Sequence, residues 1–179
     1  MRKRDREDTD FFFEFWNRLD CYGEFESIQP QMSKVEAQKR IETTETSDNV
    51  GWTWFVVEKK DGTKIGFIVH FTVQPSQHVE IGYALVPKEK GKGYGTEALQ
   101  IMVDYLFLAK NIMRIQATTD IRNVASQRIL EKAGFQKEGT IRQAGFVRGQ
   151  WQNDHLYSIL REEWGKPREL RERSEEPAN

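Results

Sequence analysis

Residues 52–86 set the tightest limit on what this chain can fold into, because their side-chain period is two. "WTWFVVEK" (52–59), "KIGFIVHFTV" (64–73) and "HVEIGYALV" (78–86) are rich in aromatic and β-branched residues, which suit a pleated, half-buried surface. "KDGT" (60–63) carries the Asp-Gly pair of a tight hairpin, and "QPSQ" (74–77) breaks the next strand. Strands with links this short run antiparallel, as a meander. In the third, Val79, Ile81, Tyr83 and Leu85 share one face, while Glu80, Gly82 and Ala84 share the other.

Directly after this strand, "VPKEKGKGYGTEALQ" (86–100) changes the pattern. Gly91, Gly93 and Gly95 alternate with Lys92 and Tyr94, and a helix follows from about Tyr94 to Ala109, with Ala98, Leu99, Met102, Val103, Leu106 and Phe107 on one stripe. Alternating glycines let the backbone take positive φ and let a ligand approach without meeting Cβ atoms. A loop running straight into a helix presents unpaired N–H groups with the positive end of the helix dipole behind them, an arrangement that binds phosphate. Lys88, Lys90 and Lys92 add positive charge, and Thr96 adds a hydroxyl. The glycine spacing matches neither the ATP-binding G-x-x-x-x-G-K-[ST] loop nor the dinucleotide G-x-G-x-x-G turn.

The remaining segments complete a mixed α/β pattern. "DTDFFFEFWNRL" (8–19) reads as a helix whose aromatics either pack the core or wall a cleft. Ser33 and Glu36 have capping-box spacing at the start of a second helix, "SKVEAQKRIETT". "IMRIQATT" (112–119) is a strand, and a helix from about Asn123 to Ala133 stops at Gly134. The stretch from Phe135 to Arg161 predicts two strands joined by an irregular turn around Gly145 to Asn153. The 179 residues suit one domain, taken as 1–164, with a charged tail at 165–179. A net charge of −1 gives no global field for nucleic acid. The single cysteine, Cys21, excludes an internal disulfide, and His70, His78 and His155 show no metal-binding spacing. No apolar run nears the roughly 20 residues of a membrane span, so no membrane partner is expected and a cytoplasmic location is the default.

The loop Lys90-Gly91-Lys92-Gly93-Tyr94-Gly95, placed after "EIGYALVP", resembles the (Arg/Gln)-x-x-Gly-x-(Gly/Ala) signature of the GNAT N-acetyltransferases, with lysine at the first position. "NVASQRILEKAGF" (123–135) is similar to that family's Asn-x-x-(Ala/Ser)-…-Gly-Phe element. The resemblance spans about residues 52–160. It implies a GNAT fold: a central mixed, mostly antiparallel sheet of about six to seven strands, flanked by helices, two of them N-terminal. It also implies acetyl-CoA as the cofactor. The loop Lys90–Thr96 would hold its diphosphate, and the backbone of Leu85 and Val86 would pair with its pantetheine arm. Asn123 would contact that arm, and Ser126 would lie near the sulfur.

Acetyl transfer to an amine needs a neutral nitrogen, a donor for the oxyanion and support for the leaving thiolate. Glu80 is the first candidate base, at a position where family members place a glutamate; it also reads as an ion-paired strand residue. A main-chain N–H near Leu85 is the candidate oxyanion donor. Family members often carry a thiol-protonating tyrosine seven residues after the asparagine, but Leu130 stands there. Ser126 and Tyr157 are the remaining candidates.

"GFVRGQWQNDHLYSILREEW" (145–164) resembles the ribosomal-protein alanine/serine N-terminal acetyltransferases, which points to a peptide or protein α-amine as acceptor. Deprotonating an α-amine costs roughly 3.5 kcal/mol less than deprotonating a lysine-type amine, which favours the same acceptor. A polyamine or aminoglycoside acceptor calls for an acidic cluster, for which Asp8, Glu14, Glu24 and Glu26 are candidates. A non-catalytic acetyl-CoA-binding module and a homodimer stay open.

Overall fold

The structure, a computed structural model, describes residues 1–26, 30–45, 52–73 and 78–165. The predicted break at 74–77 and the charged tail beyond Gly165 lie outside the described residues. One seven-stranded sheet organises the chain: β1 (Arg2–Lys3), β2 (Thr53–Glu58), β3 (Lys64–Val73), β4 (His78–Leu85), β5 (Arg114–Asp120), β6 (Gln136–Val147) and β7 (Gln150–Leu160). Their spatial order is β1-β2-β3-β4-β5-β7-β6, and only β4–β5 is parallel. The meander at β2–β4 is as the period predicts. Its Asp-Gly turn closes with Gly62 at φ 82° and Gly62 N donating to Lys59 O at 3.0 Å.

Alternation sorts the strand residues onto two faces. Phe55, Val57, Ile65, Ile68, Val79, Ile81, Ile115, Ala117, Tyr157 and Ile159 pack against α3 (Tyr94–Ala109) and α4 (Val124–Lys132). Trp54, Val56, Phe67 and Ala84 face α1 (Thr9–Asn17) and α2 (Lys34–Glu45). A last turn of helix, α5 (Arg161–Trp164), follows β7. Of the two readings of the aromatic helix, core packing describes Phe12, Phe15 and Trp16, which are buried against Trp54 and Phe67. The capping box at α2 forms as its spacing predicts: Glu36 N donates to Ser33 Oγ at 3.2 Å, and Ser33 N donates to Glu36 Oε2 at 2.7 Å.

Two features differ from expectation. Strand β1 has no apolar pattern; it is held by pairing Arg2 and Lys3 with Val56 and Phe55. The last two strands are joined by a tight turn at Arg148 (φ 50°) and Gly149 (φ 82°), not an irregular loop from Gly145 to Asn153. Two successive positive φ values match the right-handed twist of a hairpin. The irregularity sits inside the ladder instead, where the register shifts between Ile141 and Gly145.

Candidate active site

The parallel β4–β5 pairing is short. Val79 pairs with Ile115 and Glu80 with Gln116, after which the strands part. Two adjoining cavities open at the parting. One, of about 270 Å³, runs along the end of β4, the glycine loop and α4; its lining includes Leu85, Lys90, Gly91, Gly93, Gly95 and Thr96. The other, of about 220 Å³, lies between Ile81–Tyr83 and Ala117–Asp120 and is closed by Phe25, Val147, Gln152 and Asp154. Glu26, Tyr83, Asn123 and Ser126 line both.

The backbone explains why the first cavity suits a diphosphate with an amide-bearing arm. Gly91 and Gly93 hold φ of 78° and 88°, and Gly93 caps α3. The first bond back to the loop is Glu97 N to Gly93 O at 3.1 Å, so the N–H groups of Tyr94, Gly95 and Thr96 have no helical acceptor. Gly95 also lets the helices close: a Cβ there would sit 3.1 Å from Ile129 Cδ1. Val86 N donates to Ile65 O at 2.8 Å, and Val86 O accepts from Glu89 N at 3.0 Å. Val86 is therefore not open to a cofactor arm as expected from sequence. The ladder's alternation turns Leu85 the other way, toward the parting that β5 leaves.

The lysines divide their roles. Lys90 lines the cavity, whereas Lys92 donates to Glu89 Oε2 at 3.0 Å and Tyr94 lies under Lys59, so neither Lys92 nor Tyr94 lines it. Positive charge comes also from Arg128 and Lys132 of α4, which sequence reading missed although their i, i+4 spacing puts them on one helix face. Asn123 is the N-cap of α4, its Oδ1 accepting from Ser126 N at 3.1 Å.

The sequence-derived catalytic candidates separate. Ser126 Oγ sits 2.9 Å from Tyr83 Oη at the junction of the cavities. Burial first, with Tyr157 nearby, pushes the Tyr83 phenol up to about 12 against the pull of its bond to Ser126. Tyr157 is fully buried on the helix face and donates to Glu131 Oε1 at 3.2 Å, so it reaches neither cavity. Glu80 lies on the opposite face, where Gln116 Nε2 donates to it at 2.8 Å; it lines neither cavity. Cys21 is buried outside both cavities.

Sequence reading also missed the acidic floor of the second cavity. Asp120 and Asp154 are cross-strand partners, and Glu80 occupies the same face through its pairing with Gln116. Asp120 is neutralised by Arg122, whose Nη2 lies 2.8 Å from Oδ2 and whose backbone N donates to Oδ1 at 2.8 Å. With its amide turned to satisfy both neighbours, Gln152 donates to Asp120 at 2.6 Å and accepts from Arg122 at 2.8 Å. Asp154 forms no ion pair among the described residues. Burial first, then repulsion from Asp120 and Glu80, raises its carboxyl above the ordinary aspartate value.

A helix N-terminus with a glycine cradle, beside a parallel strand pair that parts, defines an acyl-CoA transferase of the GNAT type. Residues 1–136 match the family described as "Acetyltransferase (GNAT) domain", and the chain belongs to that family. It is 34% identical over 157 residues to "Probable N-acetyltransferase YjcK" of Bacillus subtilis, covering 86% of this chain and 83% of that one. The ribosomal-protein-S5-alanine acetyltransferase of Vibrio fischeri superposes with a TM-score of 0.80 at 25% identity, covering 92% and 94% of the two chains. The spermidine N-acetyltransferase of Vibrio cholerae, solved with CoA and spermine, has the same fold, with a TM-score of 0.81 at 21% identity over 92% and 96%. The protein is an acetyl-CoA-dependent N-acetyltransferase.

Proposed function

We propose that the enzyme acetylates a small cationic primary amine of the polyamine kind. The observation that carries this reading is the cavity next to the glycine-loop cleft, whose lining includes the carboxylates of Glu26 and Asp154 together with Asp120, whose own charge Arg122 pairs. Carboxylates gathered in one small space attract an ammonium and favour a ligand with more than one. The backbone N–H groups after Gly93, with Lys90, Arg128 and Lys132, would hold the diphosphate of acetyl-CoA, and Leu85 would face its arm. The cofactor supplies the activated acetyl group. Asp154 would take the proton that the amine loses as the C–N bond forms. Burial first, then Asp120 and to a lesser extent Glu80, would make it more basic, and Glu80 would not act as the base itself.

A peptide α-amine is the second reading. It is favoured by the likeness to the S5-alanine acetyltransferase and by the lower cost of neutralising an α-amine. Initial-rate assays with spermidine, a short monoamine, aminoglycosides and peptides of varied first residue separate the two. The di- and polyamines should give the highest kcat/KM. Turnover of peptides alone would overturn the polyamine reading.

A further inference from the structure

We infer that Arg122 and Arg148 are positioning residues that clasp the Gly23–Glu26 segment over the second cavity and so hold Glu26 where the amine meets the cofactor cleft. The inference rests on that cavity being the acceptor site and deepens that reading.

Phe25 closes the second cavity, and Glu26, next in the chain, lines both cavities. No strand or helix carries this segment, which lies between a short turn of helix at Leu19–Cys21 and α2. Its place therefore depends on the side chains that reach it. One comes from the junction of β5 and α4. The Arg122 guanidinium is fixed to the buried Asp120, to which Nε donates at 2.9 Å and Nη2 at 2.8 Å. Its Cζ lies over the Phe25 ring, 5.3 Å from the centroid. The other comes from the turn between β6 and β7. Arg148 Nη2 donates to Gly23 O at 3.2 Å, across 125 positions of sequence. The same carbonyl accepts from Glu26 N at 3.2 Å, so Arg148 holds the very turn that sets Glu26.

The backbone of Arg148 argues that this bond has a use. Its φ of 50° lies in the left-handed region, which a residue with a Cβ enters at a cost. Asparagine, aspartate or glycine meets the first position of such a two-residue turn more easily. What arginine adds is reach, and the reach ends on Gly23. Strain kept at one residue and matched by a long-range bond points to a function for the side chain. Charge points the same way. Desolvation raises the Glu26 carboxyl above its ordinary value, and the charges of Lys90 and Arg148 pull against it. Arg148 thus steadies Glu26 through the backbone and through its field, and Glu26 draws the ammonium toward the thioester.

Arg148→Asn decides the matter, because it keeps the turn and removes the reach. It should melt at or above the wild-type temperature. KM for the amine should rise about tenfold, the scale of one charge-assisted hydrogen bond, with kcat within about twofold and coenzyme affinity unchanged. Hydrogen exchange of the Gly23–Glu26 backbone, read by mass spectrometry without acceptor, should quicken about tenfold. Arg148→Lys keeps the charge and part of the reach, and should recover part of the KM. Arg122→Lys still pairs Asp120 but offers Phe25 no flat face, and should raise KM about threefold. Wild-type KM or wild-type exchange in Arg148→Asn would overturn the inference. So would a lower melting temperature with a fall in kcat, which would assign Arg148 to the turn alone. KM is read on whichever amine the wild type acetylates. A wild type that turns over peptides alone would overturn the polyamine reading, and the clasp would then be read on those peptides.

Discussion

Glu89 Oε1 lies 2.8 Å from Lys59 Nζ, so a buried carboxylate joins the β2–β3 hairpin to the underside of the glycine loop. Its second oxygen accepts from Lys92 at 3.0 Å, and both lysines hold the carboxyl below the ordinary glutamate range. Glu89 therefore fixes the loop that presents the N–H groups. Glu89→Gln should raise the dissociation constant for coenzyme A about tenfold, the scale of one charge-assisted hydrogen bond, as read by calorimetry. KM for the amine should not move; a variant with unaltered affinity would separate this ion triad from the loop's function.

Gly93 carries φ of 88° with nothing within 4 Å of where a Cβ would sit, so an alanine there meets strain and no clash. Gly93→Ala should cost about 1–2 kcal/mol, the left-handed penalty, seen as a lower unfolding midpoint in urea together with weaker coenzyme binding. Gly139→Ala, at an open position without positive φ, is the control and should leave both unchanged. Equal effects at the two positions would show that the conformation of Gly93 is not what matters.

The parts legible in the sequence are those that local rules fix. The period-two runs, the Asp-Gly turn, the capping box and the glycine loop each need only a few neighbouring residues. The parts that were not legible depend on distant segments meeting. Strand β1 exists because Arg2 and Lys3 find an open edge on β2. Tyr83 and Ser126 are 43 positions apart and meet only when α4 packs on β4. The acidic floor needs β7 to insert beside β5, which sets Asp154 opposite Asp120. The hairpin at Arg148–Gly149 was hidden for another reason: arginine is not a residue that announces a positive φ.

Acid should unfold the protein through two carboxylates. Asp8 is completely buried; burial acts to raise its pKa, but the bonds from Arg2 at 2.7 Å and Lys64 at 2.6 Å outweigh it and hold it well below the ordinary value. Glu138 is lowered to about 2 by Arg114 first and by Ser158. A carboxyl depressed in the folded state contributes stability above its unfolded pKa of about 4, and that stability is lost as pH falls toward the folded value. Ellipticity followed from neutral pH downward should fall between about pH 4 and about pH 2. Arg2→Met and Arg114→Met should each move the midpoint to higher pH. A midpoint indifferent to both would assign acid unfolding to other groups.

Asp154 should show the opposite linkage. Its carboxyl is raised above the ordinary value by burial, Asp120 and Glu80. The ionised form therefore costs stability at neutral pH, and the cost vanishes only as pH falls below the unfolded value of about 4. Asparagine keeps the shape and removes the charge. Asp154→Asn should melt at a higher temperature than wild type while losing roughly tenfold or more in kcat/KM for diamines, within the range of general-base catalysis and ion-pair loss. The loss should be smaller for a monoamine, because the charge that attracts a second ammonium has gone. A residue kept for packing alone would lose stability and activity together when changed. A residue kept for its charge gains one and loses the other, and thermal melts with paired amine kinetics read both. A lower melting temperature, or equal losses on mono- and diamines, would remove Asp154 from the acceptor site.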